Sequence, residues 1–490
     1  MFRPFFFAAF SKPMRIQRHK TAIGRTELSR PFQLALASGV IKEGTEVLDY
    51  GCGRGDDIRV LSALGFACEG WDPVHRPDGN REASDVVNLG YVVNVIEDPE
   101  ERADALVQAW ALAKKALVVA GRVDIQSQPE DADALGDGIL TSRGTFQKFF
   151  TQDELRAWIE KVLKVDPIAA GPGIFFVFRS DLDRQRYSSG ILRRAVPTRV
   201  SLLDNERIAE HRKSLEPLLG FFEERGRLPS ADELPNASEV ISVFGSIPKS
   251  FRAVRSLMGE GVWQEIAEAR KEDLLVHLAL ERFRGRPRYS ELPPELQVDV
   301  KSFSGAYTVA CEQADALLFS AGRADLISAA CKESPVGKLT PEALYVHRSA
   351  LSRVPALLRV FEGCARVVVG DVDAELIKLD RGRAKISYLS YPEFDEVAHP
   401  PLQRSIVVWL DTMRAKLYDF SGRSNPPILH RKETFVGEDY PRRDLFARLT
   451  RQEEKRGLLD NATIGTQEGW EALLADRGFK VAGHVLRRSV

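Results

Sequence analysis

The sequence predicts an N-terminal α/β domain with a doubly wound, mostly parallel sheet, followed by a mostly helical and then a mixed α+β C-terminal region. Three observations predict it. Strand-like and helix-like apolar patterns alternate from Glu46 to Phe178, a glycine-rich turn separates the first strand of that series from the helix after it, and from Leu215 onward the pattern becomes mostly helical. A chain of 490 residues is also too long for one ordinary hydrophobic core, so two or three domains are expected.

The elements follow in order. A short helix is expected over residues 31–38, carrying Phe32, Leu34 and Leu36. Residues 46–50 form a short apolar strand, and Ile58, Leu61 and Leu64 mark one face of the next helix. Residues 66–71 read as a second strand. Residues 85–95 are a third, mostly apolar stretch of the kind buried on both faces in a parallel sheet. Leu106, Ala109, Trp110 and Ala113 lie at helical spacing, and residues 116–120 form another strand. Thr151 to Glu154 make a capping box for a helix with Leu155, Trp158, Ile159 and Val162 on one face. Residues 174–178 close the alternation. Residues 179–213, with nine basic and five acidic side chains, break the rhythm and read as a linker. Further on, strand-like runs stand at 365–369 and 385–389. The expected division is a domain at 14–180 with a basic N-terminal arm, a linker and helical, helix-turn-helix-like region at 181–290, and a mixed accessory domain at 291–490.

Composition bounds the function. Lys plus Arg (69) and Asp plus Glu (70) nearly cancel, so any nucleic-acid surface must be a local patch. The five cysteines, Cys52, Cys68, Cys311, Cys331 and Cys364, include no CxxC pair and are odd in number. That argues against a zinc ribbon or a disulfide framework and fits a reducing cytoplasm, with no metal expected. The apolar start, MFRPFFFAAF, is far shorter than a membrane span and has no small-residue cleavage site after it. No export is expected, and Met14 stands where a start codon assigned too early would leave the true first residue.

The chemistry concentrates at Asp49-Tyr50-Gly51-Cys52-Gly53-Arg54-Gly55-Asp56, between strand and helix. Gly51, Gly53 and Gly55 let the backbone around Cys52 turn tightly and approach a ligand closely. A dinucleotide site would want a third glycine where Asp56 stands, and a carboxylate there repels a pyrophosphate. It tolerates a zwitterion, and Asp49 suits a ligand carrying an amino group and a sulfonium. Asp72, ending the next strand, has the place of an acid that grips both ribose hydroxyls. The competing structural reading is a tight turn plus a surface aspartate.

These residues resemble class I S-adenosylmethionine-dependent methyltransferases, which implies a Rossmann-like domain with S-adenosylmethionine as cofactor. More narrowly, RHKTAIGRTELSRP (residues 18–31), VVNLGYVVNVIEDPEER (86–102), GTFQKFF (144–150) and PILHRKETFV (427–436) resemble the methyltransferase family associated with bacterial DNA phosphorothioation systems. That resemblance implies a DNA-modification or defence setting, with DNA as substrate and defence proteins as partners. It does not identify the methylated atom. The sequence departs from the class in one respect: between Asp72 and Asp85 there is little room for the usual third strand, so residues near Asn88 are expected to help wall the adenine.

Enzymes that methylate amino groups of nucleic acids place a D/N-P-P-Y/F motif after the fourth strand, where its polar residue holds the target amine and its aromatic ring stacks on the flipped base. Asn88-Leu89-Gly90-Tyr91 offers the first and last residues without the prolines; the alternative is a buried strand running on into NVIED. Cytosine C5 chemistry would need a thiolate after proline, which neither Cys52 nor Cys68 provides. Arg18, His19 and Lys20 would grip phosphate or form a solvated arm. Lys148, flanked by Phe146 and Phe149, is a further substrate candidate. His430 to Glu433 offers a base or an exposed helix end. Residues 221–254 resemble the small helical modules of the homing-endonuclease-associated repeat type. Three functions remain open: nucleic-acid methyl transfer, a cofactor-binding defence component without turnover, and small-molecule methyl transfer.

Overall fold

A computed structural model describes residues 16–22, 24–123, 133–194, 212–258 and 260–489. The apolar start, Met14 and Arg15 lie outside them. The chain divides into two compact units, residues 1–179 with 369–371, and the remainder. The 181–290 region, and the 291–490 region apart from residues 369–371, fall in the second unit. No described helix is long and apolar enough to cross a membrane.

The first unit is built on a six-stranded sheet in the order β2-β1-β3-β4-β9-β8. Its strands are β1 (Glu46–Tyr50), β2 (Ala67–Trp71), β3 (Ser84–Gly90), β4 (Ala113–Ala120), β8 (Ile168–Gly171) and β9 (Ile174–Phe178). A small sheet of β5 (Asp133–Leu135), β6 (Gly138–Leu140) and β7 (Phe146–Gln147) is separate. Strands β2, β1, β3 and β4 are mutually parallel, and β9 runs antiparallel between β4 and β8. Among the described residues no strand lies beyond β2, as the short spacing from Asp72 to Asp85 implies. The helices are α1 (Arg30–Ala37), α2 (Asp56–Ala63), α3 (Pro99–Leu112) and α4 (Gln152–Leu163). Val86, Val87, Leu117, Val119, Phe175 and Phe176 are buried in the central strands, which explains their near-continuous apolar runs. The Thr151–Glu154 capping box forms as its spacing requires. The parallel strands end on one edge, where Gly51, Asp72, Asn88 and Gly90 gather; ligands of open α/β sheets bind at that edge.

Three expectations change. The third stretch leaves the sheet at Gly90 and turns over residues 91–95, because Tyr91 takes a left-handed conformation, φ 61°. The supposed linker opens with a helix, α5 (Asp181–Ile191), capped by the Ser180 side chain; residues 195–211 lie outside the described ones. Residues 365–369 end a helix, Ala356–Val369, because Leu358, Phe361, Ala365 and Val368 share one buried face. The β-branched run Val367 to Val369 reads locally as a strand, and packing overrides it.

The second unit contains helices and a six-stranded antiparallel meander, β10 (Lys338–Leu339), β11 (Ala343–His347), β12 (Leu376–Asp380), β13 (Lys385–Ser390), β14 (Arg404–Trp409) and β15 (Arg414–Asp419). Phe222, Phe251 and Trp263 close a helical core with ring centroids 4.8 to 5.1 Å apart. Described basic residues of the stretch 179–213 form ion pairs inside this unit. Arg184 pairs with Glu281, Arg186 with Glu295 and Arg193 with Glu224. Asp273 is a hub, accepting from Arg194 Nε at 2.9 Å, Arg270 Nη1 at 2.9 Å and Arg359 Nη1 at 2.7 Å.

Asp273→Ala should therefore destabilise the second unit by about 3–5 kcal/mol, since it leaves buried guanidinium groups uncompensated. Urea unfolding followed by circular dichroism measures this; a midpoint unchanged from the parent would refute the hub.

Candidate cofactor and active site

Strand β1 delivers Asp49 to the sheet edge, and the turn that follows is made by glycine. Gly51, Gly53 and Gly55 have φ of 87°, 53° and 78°, and a Cβ on Gly51 would lie 2.4 Å from Val92 Cγ2. Glycine is required there by both conformation and space. The amides of Gly51 and Cys52 donate to Trp71 O at 2.7 and 3.1 Å, tying the turn to β2. Asp72 completes it: Oδ2 accepts from Gly53 N at 3.1 Å, while Oδ1 accepts from Val74 N and His75 N at 2.9 and 2.8 Å. Asp72 thus shapes the loop: two amides occupy both lone-pair sites of Oδ1, and Oδ2 retains one for a ligand.

Beneath the turn, Asp49 and Asn88 are register partners on β1 and β3. Asn88 Nδ2 donates to Asp49 Oδ1 at 2.8 Å. Both side chains are buried, and burial pushes the Asp49 carboxyl up to about 7 against the opposing effect of the Asn88 bond. Asn88 Oδ1 is buried with no hydrogen-bond partner among the described residues, and Asn88 is one of the residues that line the cavity. Cys52 is half-buried, and its thiol is pushed up to about 12 by burial and by Asp49 and Asp72. A thiolate mechanism has no basis at this site.

A cavity of about 1310 Å³ joins these groups. Asp49, Gly51, Cys52, Gly53, Asp72, Asn88 and Tyr91 line it, and so do Arg18, His19 and Lys20. Gly55 is buried just behind, as the left-handed N-cap of α2. Tyr91 is half-buried, with the Arg25 guanidinium 5.8 Å from its ring centroid. Residues 24–29 pack over the start of α2: Arg25 N donates to Asp56 Oδ2 at 2.8 Å, and Ser29 N donates to Asp57 Oδ1 at 2.7 Å.

Two expected substrate contacts are redirected. Arg18 is clasped by Glu97 and Glu101, with four hydrogen bonds of 2.5 to 2.8 Å. Glu97, just before α3, and Glu101, in its first turn, hold it, so it fixes the arm. Lys148 does not line the cavity. It is buried, 2.7 Å from Glu154 and 3.2 Å from Asp137, with Nζ 4.6 Å from the Phe150 ring centroid. Phe146 is core, as is Phe150, and Arg122 lies 5.8 Å from the Phe149 ring centroid. Sequence reasoning missed Arg25, Arg122 and the buried Asn94–Gln147 pair, 3.1 Å apart. Only Asn94, a polar residue inside the apolar run 86–96, carried a signal.

The fold and this turn are those of a Rossmann-like methyltransferase domain. Residues 19–162 match a family described as a methyltransferase domain, and S-adenosylmethionine is its cofactor. The residues fit that ligand: a glycine cradle that a Cβ would fill, a buried acid and an unpartnered amide oxygen for an ammonium, and a carboxylate at the second strand end. Among solved structures, Burkholderia thailandensis 1,6-didemethyltoxoflavin-N1-methyltransferase, bound to 1,6-didemethyltoxoflavin and S-adenosylhomocysteine, is 14% identical. That alignment covers 31% of this chain and 76% of the other, with a TM-score of 0.25. No curated protein matches.

Between the ordinary aspartate value of roughly 3.9 and about 7, folded Asp49 holds a proton that the unfolded chain has lost. Native binding of more protons means that this group lowers stability as pH rises through the window. Asp49→Asn removes the effect. The variant's stability relative to the parent should climb from pH 4 to about pH 7 and then stay level, read from denaturant midpoints at each pH; a pH-independent difference would contradict the buried-acid assignment.

Proposed function

We propose that the protein transfers a methyl group from S-adenosylmethionine to an amino group of a nucleic acid, with DNA the preferred substrate. The observation that carries this reading is the division of charge around the cavity. Its acids are largely engaged within the fold: Asp56 by Arg25 N and Arg59, Asp57 by Ser29 N, Asp72 by three backbone amides, and Glu101 by Arg18. Lys20, Arg54, Arg122 and Arg143 also line it, and none of them has a carboxylate within ion-pair distance among the described residues. Cations left without counter-charges at the mouth of a pocket suit a phosphate backbone. The resemblance to phosphorothioation-associated methyltransferases points the same way and supplies the bacterial defence setting and its protein partners.

When bound, S-adenosylmethionine supplies an electrophilic methyl group. Asp72 would accept from the ribose hydroxyls, and Asp49 with Asn88 Oδ1 would receive the ammonium or the target amine. Tyr91 would stack on the extruded base, its left-handed backbone storing the kind of strain found at functional sites. One observation favours a second reading, a cofactor-binding defence component without turnover: Asn88 is buried and its amide nitrogen is already committed to Asp49.

Incubation with tritiated S-adenosylmethionine and DNA, RNA or a small-molecule extract decides among these. Label in DNA is expected; label confined to small molecules overturns the proposal, and no label with intact cofactor binding favours the second reading. Tyr91→Ala should weaken nucleic-acid binding by about 1–3 kcal/mol, the value of one base-stacking contact, while calorimetric affinity for S-adenosylmethionine holds. Asp72→Ala should cost about 1.5–3 kcal/mol of cofactor affinity, and an unchanged value in a folded variant would remove Asp72 from the ribose site.

A further inference from the structure

The segment containing His430 has no place in the cofactor cavity, and its side chains are neither exposed nor idle. Lys432 is buried, donating Nζ to Phe394 O and to Val397 O at 2.7 Å, with His484 Nε2 3.0 Å away. Two residues earlier, His430 meets His399 with ring centroids 4.3 Å apart, and Trp470 packs edge-on against both at 4.8 Å. Glu453, on the helix Arg443–Lys455, completes the group. Its side chain is 1% exposed and that of His399 is 7% exposed.

The outward nitrogens of both rings are committed to backbone carbonyls. His399 Nδ1 lies 3.2 Å from Leu429 O, and His430 Nε2 lies 2.7 Å from Ile464 O. A carbonyl only accepts, so each of these nitrogens carries a proton, and in a neutral imidazole the opposite nitrogen is the one that holds the lone pair. One ligand atom from each of His399, His430 and Glu453 lies within 4.8 Å of the others. His399 Nε2 and Glu453 Oε1 are only 2.8 Å apart. His430 Nδ1 and Glu453 Oε2 are buried with no hydrogen-bond partner among the described residues. Three electron-pair donors thus converge, and two of their buried atoms have no proton to receive.

We propose that His399, His430 and Glu453 bind one divalent transition-metal ion, best matched by zinc, which clamps three segments of the second unit together. Two imidazoles and a carboxylate are a donor set for zinc or iron, with carbonyl partners on the far ring nitrogens of the kind that orient metal-ligating histidines. Ligands on a loop after β13, on the segment before Lys432 and on a helix would close loops of tens of residues, so the ion would act as a cross-link. No short ligand spacing announces the site, because His399 and Glu453 are 54 positions apart.

The test uses the full chain, stripped with a chelator and titrated with Co²⁺. One equivalent is expected to bind with visible d–d absorption, to be displaced by Zn²⁺, and to raise the melting temperature. His430→Ala should weaken Co²⁺ binding by more than the roughly 10–100-fold that even an outer-shell partner is worth. His430→Cys supplies a thiolate in place of the imidazole and should retain the ion with a new near-ultraviolet charge-transfer band. The proposal is overturned if the parent protein shows no saturable Co²⁺ binding, if His430→Cys shows no such band, or if folded His430→Ala and Glu453→Gln bind as the parent does.

Discussion

The hydrogen bond from Asn88 Nδ2 to Asp49 Oδ1, 2.8 Å long and buried between adjacent parallel strands, is the interaction on which the first unit's site depends. Among the described residues it is the only hydrogen bond to the Asp49 carboxyl, and it opposes the burial that drives this acid toward its neutral form. The glycine turn lies directly after Asp49, and β3 leaves the sheet two residues after Asn88. One side-chain contact therefore sets the position of both the cofactor loop and the strand end that carries Tyr91. A buried acid with a half-satisfied amide beside it is costly in the free protein, and a cationic ligand recovers that cost on binding.

Charge is handled differently in the two units. In the first, the arm is secured by backbone amides and by one guanidinium held between two glutamates, while Lys20, Arg54, Arg122 and Arg143 around the cavity have no carboxylate within ion-pair distance among the described residues. In the second, arginines from distant helices converge on single carboxylates, Asp273 and Asp299, the latter contacted by Arg225 and Arg227. Buried hubs of this type contribute little net attraction once desolvation is counted, yet they heavily penalise any arrangement that leaves a member unpaired. The near-zero net charge of the chain is thus a sum of two unlike distributions.

Much of the first unit was legible. The strand, glycine turn, helix, strand and acid from Glu46 to Asp72 are contiguous, and their periodicity and turn chemistry are local properties that sequence displays directly. The missing edge strand could be read from chain length alone, because residues 73–84 cannot hold both a crossover and a strand. The capping box at Thr151 was legible for the same reason. Residues 365–369 failed because β-branched propensity is local, whereas the helix there is decided by the face that packing buries.

The sequence by itself thus determined the doubly wound domain, its cofactor turn and the acids at two strand ends. Tertiary structure decided what the polar side chains do. Arg18 looked like a free phosphate ligand until Glu97, 79 positions away, closed on it. Lys148, flanked by Phe146 and Phe149, read as a substrate contact, yet Asp137 and Glu154 neutralise it in the interior. His430 gained its meaning only when folding brought His399 and Glu453 to it. A charged or ligating group acts through partners a few ångströms away, and those partners come from segments whose proximity no local pattern encodes.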